Sequence, residues 1–286
     1  MWRRQAIDAA GGWQADTLTE DLDLSYRAQL QGWRLHFMPE VVCPAELPVQ
    51  MSGVKSQQHR WAKGSIQTAR KLLPRVVQAD LPRFTKCQAV LHLTNYLVHP
   101  LMLWSALITP WLLLVAPVGM LQTHLLITVG IFGATMGPAS LYLYAQRQLY
   151  PDWLRRLRSF PYLLIFGTGI ALNNTKAILE ALCHRQGTFV RTPKFGIVHP
   201  TDTWVGTRDR VAFSWLSLGE LVLAVYSGYG VYLAIHQEGY FLLPFLLLYT
   251  LGFAAVGGLS FVESFQTVVP RLPLRTSLRA AAETHK

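Results

Sequence analysis

The chain has 286 residues; 51% are hydrophobic, only 15% are charged, and the mean hydropathy is +0.24. Soluble domains carry about 25% charged residues, so the composition is that of a membrane protein. The net charge of +10 does not point to nucleic acid, because Arg147, Arg155, Arg156 and Arg158 stand beside apolar runs and no aromatic-basic binding motif accompanies them.

Residues 1–90 read as soluble and mixed, and residues 91–265 hold the long apolar runs. The start, Met1-Trp2-Arg3-Arg4-Gln5, has no apolar core behind its arginines and is not a signal peptide. Cys43, Cys87 and Cys183 have neither metal-ligand spacing nor a paired framework, and read as free thiols.

Gly11-Gly12 breaks the first helix-like stretch, and Leu22, Tyr26 and Leu30 then recur at helical spacing. Thr17 with Glu20 fits a capping box, which places Asp21 and Asp23 in the first turn. Acids there favour a helix N-terminus for structural reasons alone. A carboxylate at such a loop edge also suits general-base catalysis, taking the proton of an attacking hydroxyl. Asp21-Leu22-Asp23 reads literally as D-x-D, but a helix puts the two acids on different faces, which argues against metal binding.

Trp33–Pro39 reads as a short strand and Pro44–Pro48 as an extended loop. Gln57, Arg60 and Trp61 follow at i, i+3 and i+4, so a helix aligns an amide, a guanidinium and an indole. Arg binds phosphate oxygens bidentately, and the indole is a flat surface on which sugars stack. A surface helix with a solvated basic face, carried by Lys55, His59, Lys63, Arg70 and Lys71, is the plainer alternative.

A bilayer core takes about 20 apolar residues per helix. Leu91–Pro117, Met120–Gln146, Val211–Ile235 and Tyr240–Phe265 each supply one span. The links 118–119 and 236–239 carry no Lys or Arg, whereas 147–158, 185–210 and 271–286 are basic. The positive-inside rule places the basic segments in the cytoplasm. Phe160–Cys183 turns polar in its second half, with Asn173, Asn174, Lys176 and Glu180. An amphipathic helix on the inner surface keeps the parity of spans. The following loop carries Phe189, Thr192, Pro193 and Lys194, and Pro193 pushes Thr192 toward an extended conformation.

Thr19-Glu20-Asp21, then Gln57-Gln58-His59-Arg60-Trp61, then spans, resembles the acceptor half of processive family-2 glycosyltransferases, the group that includes cellulose synthase. Phe189, Thr192 and Lys194 match that family's gating loop, with Arg191 in place of its Val. The resemblance implies an α/β fold of the glycosyltransferase-A type for residues 1–85. An α-helical membrane domain over 86–286 follows, with about four spans, an interfacial helix (160–183) and a gating-type loop (185–210). It implies Asp21 as the catalytic base. Glu20, Gln57, Arg60, Trp61, Phe189, Thr192 and Lys194 are implied as substrate-binding residues.

The implied partners are a UDP- or GDP-sugar donor, a growing β-linked polysaccharide and the bilayer of the inner (plasma) membrane, with residues 1–85 and the tail cytoplasmic. A divalent metal, Mg or Mn, is implied with no ligand in these residues. The family's donor-binding half is not among the 286 residues, so the chain is expected to be a fragment, inactive alone. The competing readings are a non-processive transferase acting on a lipid acceptor, a transporter, and an inactive membrane-anchored remnant.

Overall fold

The computed structural model describes residues 1–115, 139–183 and 213–265, and every regular element among them is helical. In chain order these are α1 (Arg4–Ala9), α2 (Glu20–Leu30), α3 (Met51–Gln78), α4 (Arg83–Leu93) and α5 (Val98–Val115). After helical residues 139–149 come α6 (Trp153–Arg156), α7 (Phe160–Gly169), α8 (Ala171–Leu182), α9 (Trp215–His236) and α10 (Leu243–Phe265).

Gly11 and Gly12 have φ of 79° and 74°. Only glycine takes that left-handed conformation cheaply, so the chain stops and turns here, as the sequence indicates. Arg27 of α2 holds the turn: its Nη1 donates to the Ala10 carbonyl, its Nη2 donates to the Gly12 carbonyl at 2.9 Å, and its Nε donates to Asp23 at 2.7 Å.

α3 is 28 residues long and is the hub of the molecule. One side packs with α2 and α4 around Tyr26, Ala69, Leu72, Val76 and Leu93. The other side lays Ala62 and Ile66 against Ala177, Ile178 and Ala181 of α8. A third core joins α5, α8, α9 and α10 through Ala106, Ala171, Leu223, Tyr249 and Phe253.

Among the described residues, three stretches are long and apolar enough to cross a membrane: Asn95–Val115, Trp215–His236 and Tyr240–Phe265. They coincide with three of the four expected spans. Most of the fourth, Met120–Gln146, lies outside the described residues, as does the gating-type loop.

Three expectations need correction. Trp33–Pro39 is not a strand; a strand needs a neighbour to take its backbone hydrogen bonds, and no strand exists among the described residues. The α/β expectation for residues 1–85 therefore finds helices and extended chain but no sheet. Thr17 does not cap α2: the N-cap is Thr19, whose side chain makes no capping bond. Phe160–Cys183 is two helices, with the break at Ile170. Just before it, the Thr168 hydroxyl bonds back to the carbonyls of Leu164 at 3.0 Å and Ile165 at 2.9 Å, a contact that bends helices.

The bend seats α7 on α10 at very close range. A Cβ on Gly252 would collide with the Thr168 hydroxyl and lie 2.8 Å from the Ile165 carbonyl oxygen. Gly258, on the same helix, has nothing within 4 Å. Gly252→Ala is expected to cost about 1–3 kcal/mol by overpacking. Thermal unfolding in detergent checks this, with Gly258→Ala as the control that leaves the midpoint in place.

Candidate active site

The stripe of α3 that carries Gln57, Arg60 and Trp61 continues, at helical spacing, into Gly64 and Thr68. This is where the acidic turn docks. A Cβ on Gly64 would sit 2.6 Å from Thr19 Cγ2 and 2.8 Å from the Thr19 backbone nitrogen. The Thr19 and Thr68 hydroxyls are 3.2 Å apart, and the Leu18 amide donates to Gln67 Oε1 at 3.0 Å. Thr19-Glu20-Asp21 is thus held one helical turn beyond Trp61. The two motifs, far apart in sequence, meet along one line of α3. Gly64, Gln67 and Thr68 were not singled out from the sequence, although a glycine three residues after Trp61 on the same stripe marks a place where another backbone can approach.

Asp21 is exposed and Glu20 is half-buried. Asp21 Oδ1 accepts from the Leu22 amide at 2.8 Å, and its second oxygen has no partner among the described residues. Asp23 is fully buried and meets Arg27 at 2.7 Å and Lys71 at 2.9 Å. The faces differ as the helical period requires. One acid is open to a ligand and the other belongs to the scaffold. This pair cannot share a metal ion, and among the described residues no group of three or more His, Cys, Asp or Glu could hold one. The chain's described residues therefore do not fit the divalent metal that the resemblance implies.

Gln57 and Arg60 are half-buried, and Trp61 is 40% exposed on a helix whose next residue is fully buried. An indole so placed offers a face to solvent from a rigid base. Phe189, Thr192 and Lys194 lie outside the described residues. Trp104 and Trp111 are 65% and 50% exposed on α5.

Behind the stripe, α3 is fastened to the apolar helices by contacts between residues far apart in the chain. Lys55 Nζ donates to Glu220 Oε2 at 2.8 Å, with side-chain exposures of 8% and 0%. Glu263 accepts from the Met51 amide at 2.7 Å and the Ser52 amide at 3.2 Å, at the start of α3. Asn173 donates to the Lys55 carbonyl at 3.0 Å. Glu180 of α8 takes Lys63 at 3.0 Å and His59 at 3.1 Å.

Burial alone would raise the Glu180 carboxyl, but Lys63 and His59 outweigh it and hold the group below its ordinary 4.5. A lowered folded value stabilises the protein above pH 4.5 and loses that contribution as pH falls through the folded value. Thermal midpoints measured downward from pH 5 are expected to fall, and less steeply in Glu180→Gln.

Gly64→Ala is expected to lift the Thr19 turn from α3. Hydrogen exchange at the amides of residues 18–23 should speed up, while exchange in α9 and α10 stays unchanged. Unaltered exchange at 18–23 would contradict the docking described.

Residues 1–137 match the model of the glycosyl transferase family group 2. The chain is 28% identical over 203 residues to glucomannan 4-beta-mannosyltransferase 2 of Arabidopsis thaliana, covering 68% of this chain and 36% of that protein. It is 28% identical over 205 residues to the probable glucomannan 4-beta-mannosyltransferase 3 of Oryza sativa subsp. japonica, covering 68% and 34%. Glucomannan 4-beta-mannosyltransferase 7 of Arabidopsis thaliana is 35% identical over 80 residues, 28% of this chain and 14% of that protein. The match spans about a third of the length of the first two relatives. No solved structure matches the chain.

Proposed function

For a chain whose residues 1–137 match the model of glycosyl transferase family group 2, we propose the acceptor side of an inverting hexosyltransferase that extends a β-linked polysaccharide. The single observation that supports this is the docking of Thr19 on Gly64, one helical turn beyond Trp61 on the stripe that carries Gln57 and Arg60, with Asp21 exposed two residues after Thr19. In this reading Asp21 takes the proton of the acceptor hydroxyl as that oxygen attacks the donor's anomeric carbon. Trp61 stacks on the terminal sugar of the acceptor. Gln57 and Arg60 hold the departing diphosphate, whose growing charge a guanidinium stabilises. Glu20, beside the base, shapes the acceptor pocket, and Phe189, Thr192 and Lys194 close over the diphosphate.

The donor is a nucleotide sugar, GDP- or UDP-linked. In this reading the donor-binding half of a glycosyltransferase-A-type domain packs against the apolar strip that includes Leu35, Phe37, Val42 and Leu47, which are 54–80% exposed. The spans lie in the plasma membrane with α2 and α3 on the cytoplasmic side, and they carry the product outward.

The test is sugar transfer in membranes bearing the full-length protein, read with both donors and with products resolved by length. Asp21→Asn is expected to cut transfer by about 10²- to 10⁴-fold without changing the thermal midpoint, because Asp21 is exposed. Asp23→Asn is expected to lower the midpoint instead. Undiminished transfer by Asp21→Asn would remove the base assignment, and products one sugar long would remove polymer extension.

A further inference from the structure

On the side of α3 turned away from Trp61, a cavity of about 270 Å³ opens between α3, α8, α9 and α10. Its lining is unusual for the end of an apolar bundle. Five serine hydroxyls and the Asn173 amide face it, together with Lys55, His59 and Lys176. The first two already have acidic partners: Lys55 pairs with Glu220, and His59 meets Glu180 at 3.1 Å. Lys176 is exposed and makes no ion pair among the described residues, so it places an ammonium at the cavity that no described carboxylate offsets. The first turn of α9 begins at its wall, where Ser214 caps the Leu216 amide at 3.3 Å, and a helix N-terminus adds to the attraction for an anion.

The cavity continues into an open groove of about 640 Å³ that shares Lys176, Ser214 and Leu216 with it. The rest of the groove is apolar: Leu172, Phe213, Trp215 and Gly219. Trp215, 78% exposed, sits edge-on to Phe213 at 5.4 Å, and Phe213 lies 6.2 Å from Phe261 of α10. This aromatic cluster stands where α9 begins and α10 ends, at one end of two membrane-length helices. Trp and other aromatics gather at that depth because it is the boundary between lipid tails and water.

A hydroxyl-rich chamber with a spare ammonium, opening into an apolar trough at the bilayer boundary, has the two halves of a phospholipid as its complement. We propose that it binds one glycerophospholipid with an anionic headgroup, the phosphate and headgroup hydroxyls in the chamber and an acyl chain along Leu172, Trp215 and Gly219. The site is separate from the acceptor site, since Ser52, Lys55, Ser56 and His59 face it from the opposite side of α3 to Gln57, Arg60 and Trp61. Its occupant bridges α3 to the spans, as Lys55–Glu220 does, and so ties the placement of the acidic turn to the composition of the inner leaflet.

The proposal depends on the spans lying in a bilayer and not on the transferase reading, so its test reads lipid retention and not turnover. The full chain, purified in mild detergent, is titrated with phosphatidylglycerol or phosphatidylcholine and examined by native mass spectrometry. The expected result is one saturable phosphatidylglycerol per chain, held at least several-fold more tightly than phosphatidylcholine. Lys176→Ala is expected to weaken it about fivefold, the weight of one basic residue toward an anionic lipid. Gly219→Phe, whose Cβ would already lie 3.2 Å from Leu172 Cδ2 at the groove, is expected to weaken both lipids. Equal affinity for the two lipids, an unchanged Lys176→Ala, or displacement by millimolar inorganic phosphate would each overturn the proposal; the last would assign the chamber to a soluble phosphate.

Discussion

One helix cannot move without disturbing everything else. α3 presents Gln57, Arg60 and Trp61 along one stripe, receives Thr19 on the same stripe at Gly64, and is anchored from behind by Lys55–Glu220. Breaking a buried ion pair by removing one partner costs about 3–5 kcal/mol, because the survivor is left charged in a medium that solvates it poorly. The Lys55–Glu220 pair is buried on both sides, so α3 has a single axial register against the apolar helices. That register is inherited by the acidic turn, because Thr19 has no room to slide past Gly64. The acidic turn is therefore linked, through Gly64 and Lys55 of α3, to a carboxylate on α9.

How much of this was legible depended on whether the determining contact was local. The Gly11-Gly12 turn, the opposite faces of Asp21 and Asp23, the shared face of Gln57, Arg60 and Trp61, and three apolar helices of membrane length all follow from short-range patterning, and all are found among the described residues. The two motifs in order also resemble the family that residues 1–137 match. The strand at Trp33–Pro39 was read from residue preference alone, and such a preference has no force without a neighbouring strand. The capping box failed by a small shift of the helix start: α2 begins so that Thr19 faces Thr68, and tertiary packing outweighed a local hydrogen bond. The break at Ile170 depends on Thr168 reaching the Leu248 carbonyl at 3.3 Å across the α7–α10 contact, which no window of sequence displays.

Long-range polar pairs were the least legible part. Lys55 and Glu220 are 165 positions apart, and nothing near either residue names the other. The one available signal was that Glu220 stands in an apolar run, where an ionisable side chain marks a demand for a partner. Glu180 carried no such mark, since its neighbourhood is already polar, and its pairing with Lys63 and His59 emerges only once α8 lies along α3.

The Glu263 carboxylate receives the first two amides of α3 across more than two hundred positions. During synthesis α3 emerges long before residue 263 does, and for that interval its opening turn is left to water or to a chaperone. The final arrangement of the upstream motif must then wait for the last hydrophobic helix to be inserted. A chain that ended before that point would lack the carboxylate that seats the opening turn of α3, and the upstream motif would rest on a helix whose start is unfastened.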